Sequence, residues 1–196
     1  VYPGTYRESL VLEKPIEIIG ESSFDEVIIE GQCPCLQMQS ETATVRNLVL
    51  RGKTGLLSKT VLGNKDTPVV DIPKGRLTLV SCDITSESTI GVHIHSVAAN
   101  PHIQECHIHH SNGRGIVFSE QASGLVDHCV FENNIGASVE IREGSNPMIQ
   151  SCQMYSGKGV GIVAHENCRG KILDCEIYGN ASHGVVIKQR ANPTIQ

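Results

Sequence analysis

NPHIQECHIHHSNGRGIVFSEQA (residues 100–122), SGLVDHCVFENNIGASVEIREGS (123–145), NPMIQSCQMYSGKGVGIVAHENC (146–168) and RGKILDCEIYGNASHGVVIKQRA (169–191), followed by NPTIQ (192–196), align without a gap. Asn-Pro opens at Asn100, Asn146 and Asn192, while Gly124 and Gly170 mark the alternate blocks, so the exact repeat is a pair of twenty-three-residue units. A fixed period in the twenties marks a solenoid, whose units bury their apolar faces only by stacking on one another.

The period converts into columns. Cys82, Cys106, Cys129, Cys152 and Cys175 form one. Three residues earlier stand Leu79, Ile103, Val126, Ile149 and Ile172, and two residues later Ile84, Ile108, Phe131, Met154 and Ile177. Ten and twelve residues later come Val92/Ile94, Ile116/Phe118, Val139/Ile141, Ile162/Ala164 and Val185/Ile187, the period of two expected of a strand with one buried face. The position before these pairs is Gly91, Gly115, Ser138, Gly161 and Gly184, where a small residue permits a close backbone approach. Nothing repeats at three and four as in an amphipathic helix. The expected fold is all-β, a single-stranded right-handed parallel β-helix with about 23 residues per coil.

The pattern NP-x-I-x-x-C-x-I, then G-I/V-x-I/V, then G-x-I/L-x-x-C-x-I-x-x-N resembles the parallel β-helix repeat of the pectate-lyase-like superfamily. The similarity is greatest to its non-catalytic versions, such as the β-helix regions of F-box ubiquitin-ligase receptors and of bacterial multidomain proteins. It covers residues 68–196 well and 1–50 more loosely, and it implies a fold more than an activity. In that family the central column is usually asparagine; here it is cysteine.

A net charge of -5 argues against a nucleic-acid surface, which needs a basic stripe. The chain has no Trp, four Tyr and three Phe, too few for the stacking platforms of single-strand binding. Apolar runs are too short to span a bilayer. Five of the eight cysteines stand one per coil, about 4.8 Å apart by strand spacing, against a preferred Cβ separation nearer 3.8 Å in a disulfide. Buried thiols acting as small hydrophobes are expected, as suits a reducing, cytoplasmic setting.

The domain expectation is one β-helix over 1–196: less regular coils over 1–50, an inserted basic loop over 51–67 and regular coils over 68–196. Leu48 stands where cysteine stands later, and the thirty-four residues to Cys82 exceed one coil by eleven. Inserted loops are where a solenoid often binds, or are simply tolerated. The chain opens without the strand and capping helix usual before a first coil and stops two residues short of the next cysteine position, which reads as a fragment of a larger protein.

Enzymes on this fold need clustered carboxylates on an outer face. None of the six aspartates is expected on the outward positions of the Gly-led strand, so no catalytic residue is assigned and an enzyme is not the expectation. Those outward positions are His93, Val117, Glu140, Val163 and Val186 in one row, and His95, Ser119, Arg142, His165 and Lys188 in the next. Valines rimmed by Arg142, His165 and Lys188 suit an extended peptide or acidic segment, although valine also recurs in strands for its β-propensity alone. This makes His93, His95, Val117, Glu140, Arg142, Val163, His165, Val186 and Lys188 the candidate binding residues.

His93 and His95 share one strand face, and His107 and His109 share another. Convergence of imidazoles from two different sheets is not expected, so neither a metal site nor any cofactor is assigned. Tyr155 and Tyr178 stack beside Glu132 and His109, where they either hold a sugar ring or stabilise the sheet. Asn134 and Asn180 sit at equivalent turns and are read as structural. Three functions follow as expectations: a protein- or peptide-binding scaffold, a carbohydrate-binding or polysaccharide-processing domain, and a structural spacer. Neither nucleic acid nor membrane is an expected partner.

Overall fold

The computed structural model describes residues 1–21, 26–53 and 67–196. Among the described residues, twenty-four short strands are numbered in chain order, from β1 (Gly4–Tyr6), β2 (Leu10–Leu12) and β3 (Glu17–Ile19) to β22 (Glu176–Tyr178), β23 (Val185–Ile187) and β24 (Thr194–Ile195). Every third strand joins the same sheet, giving three eight-stranded parallel sheets: sheet 1 begins with β1, sheet 2 with β2 and sheet 3 with β3. One circuit through the three sheets is one coil. No helix occurs among the described residues, and none is long and apolar enough to cross a membrane.

The cysteine column lies inside as expected. Asp83 pairs with Val49, which sets Cys82 across from buried Leu48. All eight cysteines are free. Cys129 Sγ donates to Asp127 O at 3.3 Å and to Ile103 O of the preceding coil at 3.5 Å, so the thiols are weak donors along the ladder as well as apolar filler. Phe118, Phe131, Met154 and the isoleucine columns fill the rest of the core. The Gly column is a close approach: a Cβ on Gly115 would lie 2.5 Å from Ser138 O.

The coil pair has a physical origin. A Cβ on Gly170, at φ +124°, would lie 2.8 Å from Pro147 O, so the glycine of one coil makes room for the Asn-Pro of the coil before. Asn134 Oδ1 accepts Ser111 N–H and its Nδ2 donates to Ile108 O, each at 3.0 Å. Asn180 does the same to Gly157 N–H and Met154 O, also at 3.0 Å. Coils carrying asparagine at this turn thus satisfy the backbone of neighbours that carry Ser or Gly.

Six coils turn from sheet 3 into sheet 1 through a residue in the left-handed region. Asn47, Ser81, Glu105, His128, Ser151 and Asp174 have φ between 49° and 54°. The amide of each donates to a carbonyl of the next coil, as Ser151 N–H does to Leu173 O at 3.0 Å, so the hydrogen-bond ladder continues around the corner. The first three residues of the expected loop are strand instead. Arg51, Gly52 and Lys53 belong to β7 (Val49–Lys53), paired on one side with Thr85 and Ser86 and on the other with Glu30, Gly31 and Gln32. The remainder of that loop, 54–66, lies outside the described residues.

A paired acid and histidine face

Sheet 2 carries the candidate binding residues. β11 (Ile90–His95), β14 (Arg114–Ser119), β17 (Val139–Ile141), β20 (Ile162–Ala164) and β23 align His93, Val117, Glu140, Val163 and Val186 in one row. The open row of valines beside cations is not formed. Val117 is 1% and Glu140 7% exposed. Glu140 gathers the neighbouring side chains: Arg114 Nε lies 2.6 Å from its Oε2, and His165 Nε2 2.9 Å and Arg142 Nη1 4.0 Å from its Oε1. Arg142 Nε also lies 3.4 Å from Glu143. A low-dielectric carboxylate needs such partners, and it draws the cations inward. Val163 and Val186 stay half-buried and Lys188 is exposed.

The expectation that no aspartate falls in these rows is corrected by Asp71, which sits directly across from His93. Its Oδ1 lies 3.0 Å from His95 Nε2, and its Oδ2 accepts Gln37 Nε2 at 3.1 Å. The His93 and His95 rings stack at 4.5 Å, and His93 Nε2 is 2.9 Å from Ser119 Oγ. Burial would raise the Asp71 carboxyl, but the hydrogen bonds from His95 and Gln37 hold it below its ordinary value. The bond to Asp71 raises His95 in turn.

Sheet 1 repeats this arrangement. β10 (Asp83–Ser86), β13 (His107–His109), β16 (Val130–Glu132) and β19 (Gln153–Tyr155) set Asp83 across from His107 and align His109, Glu132, Tyr155 and Tyr178 in an adjacent row. Asp83 Oδ2 lies 2.9 Å from His109 Nε2 and 3.4 Å from His107 Nδ1, and the two rings stack at 4.0 Å. Glu132 Oε2 is 3.3 Å from His107 Nε2, and His109 Nδ1 is 2.7 Å from His110 Nδ1. Burial opposes ionisation of Asp83, yet the imidazole hydrogen bonds hold its carboxyl well below the usual range; His107 is raised chiefly by its bond to Asp83.

One diagonal therefore occurs three times: Asp71 to His95, Asp83 to His109 and Glu140 to His165, each carboxylate reaching Nε2 one coil further on at 2.9–3.0 Å. The spacing of Cys82-Asp83 and Cys106-His107 carried the signal for the second. Past the end of this cluster the Tyr155 and Tyr178 rings stack at 5.2 Å, Tyr178 is 52% exposed, and Tyr155 Oη lies 3.4 Å from Glu132. A hollow beside His110 is lined by Arg51, Lys53, Glu87 and Asn112.

Among known proteins, the family described as "right handed beta helix region" matches residues 69–196. No curated protein and no solved structure matches the chain.

Proposed function

The chain belongs to the right-handed β-helix family, and on that premise we propose that it is a non-catalytic scaffold that docks an extended protein or peptide segment along its coils. The finer kinship, to the non-catalytic β-helix regions of F-box receptors and bacterial multidomain proteins within the pectate-lyase-like superfamily, is part of this proposal. So is a reducing, cytoplasmic setting, in keeping with eight free thiols. The observation that carries the reading is the strip on sheet 1, where His109, Glu132, Tyr155 and the exposed Tyr178 follow one another coil by coil. Tyrosines on a rigid sheet supply contact area at little entropic cost, and they are enriched at binding hot spots.

Sheet 2 offers a second strip in Val163, Val186 and Lys188, with Glu140 already neutralised. The test is selection of a displayed peptide library on the immobilised chain, followed by competition with Tyr155→Ser/Tyr178→Ser and with Arg142→Glu/Lys188→Glu. Peptides lost only by the tyrosine variant support sheet 1; those lost only by the charge variant move the site to sheet 2. The stacked tyrosines also suit a sugar ring. Glycan binding without any peptide selected would replace the scaffold reading with a carbohydrate one.

A further inference from the structure

We propose that Asp83, His107 and His109 form a three-ligand site for a divalent transition metal of the zinc class, with Glu132 and His110 as its outer shell. One donor atom from each of the three residues lies within 4.8 Å of the others. Tetrahedral zinc with bonds of about 2.0–2.1 Å places its donors about 3.3–3.4 Å apart. Asp83 Oδ2 is 3.4 Å from His107 Nδ1 and 2.9 Å from His109 Nε2, two separations close to that spacing. His-x-His on one strand supplies two imidazoles on one face, and the strand of the preceding coil supplies the carboxylate.

The second shell points the same way. A metal-bound imidazole nearly always gives its other nitrogen to a carboxylate or other polar partner, which fixes ring orientation. His107 Nε2 faces Glu132 and His109 Nδ1 faces His110, leaving Nδ1 and Nε2 respectively for the ion. The third copy of the diagonal shows what a closed version looks like. There Val163 takes the position of the first imidazole and Arg114 occupies the carboxylate of Glu140. In the sheet 2 copy Asp71 Oδ2 is taken by Gln37 Nε2, whereas Asp83 Oδ2 faces both imidazoles, so the sheet 1 copy is the better-formed site. Three protein donors leave a fourth position for water or a donor from a partner.

The test is calorimetric titration of the reduced chain with Zn²⁺, together with the absorption spectrum of bound Co²⁺. One equivalent is expected, with a spectrum free of thiolate charge-transfer bands. His107→Gln/His109→Gln should abolish binding, and Glu132→Gln should weaken it about 10–100-fold. Circular dichroism checks that the variants fold; if the double variant does not, Asp83→Asn alone decides, loss supporting the site and retention removing it. No binding, binding unchanged in these variants, thiolate bands, or loss only with His93→Gln/His95→Gln would each overturn the proposal.

Discussion

Replacing Asn134 by alanine removes two hydrogen bonds at a position with no solvent exposure. Ser111 N–H loses its acceptor and Ile108 O loses a donor, both at 3.0 Å in the native turn. A buried polar group left without a partner costs about 1–3 kcal/mol, so the two together cost about 3 kcal/mol with partial relaxation. Asn180 makes the same two bonds from a half-buried site, where water replaces the amide, and Asn180→Ala should cost about 1 kcal/mol. Urea unfolding of the two variants beside the parent measures the difference. Hydrogen exchange localises it: 3 kcal/mol corresponds to about a hundredfold loss of protection at the Ser111 amide. Equal costs for the two variants, or an unchanged Ser111 amide, would refute the view that these asparagines brace the neighbouring coil.

Three further outcomes follow. Ser151 sits at φ 51°, so Ser151→Gly should be neutral or stabilise by up to about 1 kcal/mol, whereas Ser151→Val should destabilise by about 1–3 kcal/mol; a chemical-denaturation midpoint that moves the other way for valine sinks the strain argument. Stability should be greatest between about pH 4 and 6.5. The lowered Asp71 and Asp83 contribute stability present above their ordinary 3.8 and lost as pH falls through their folded values, while the raised His95 and His107 contribute stability present below 6.5 and lost as pH rises through theirs. A urea midpoint that climbs steadily from pH 6 to 8 would contradict this. Cys106 should react with a disulfide reagent only on unfolding, because burial raises its pKa and closes access; fast labelling of this thiol in the native chain would show an open core.

The stack itself was legible because its period is exact from Asn100 onward, and the alternation ten to twelve residues past each cysteine named the buried pairs as far as Ile162/Ala164, the last pair, Val185/Ile187, staying partly exposed. The roles of Asn134 and Asn180 were legible for the same reason. Asp71 was not. It stands at the start of the stretch read as regular, just past residues 54–66, across which counting from Leu48 loses the register, and only strand pairing shows it beside His93. The ridge on sheet 2 misled because outward-pointing was equated with exposed. Arg114, three residues before Val117, reaches across a coil to Glu140, a lateral contact that no single-strand pattern encodes. The left-handed corner carried no signal at all, since Ser81, Glu105, His128, Ser151 and Asp174 share no side-chain type that announces positive φ.

Pairing of unlike coils gives the solenoid a quantum of length. Excising residues 123–145 would set Pro147 over Pro101 in place of Gly124 and leave Ser111 facing Gly157, with no amide between them. Excising 123–168 would instead lay Gly170 on Pro101 and Asn180 against Ser111, restoring both fits. The shorter deletion should therefore be the more damaging one, with a lower melting temperature despite keeping more of the chain. A stack built this way should tolerate the gain or loss of two coils together better than of one.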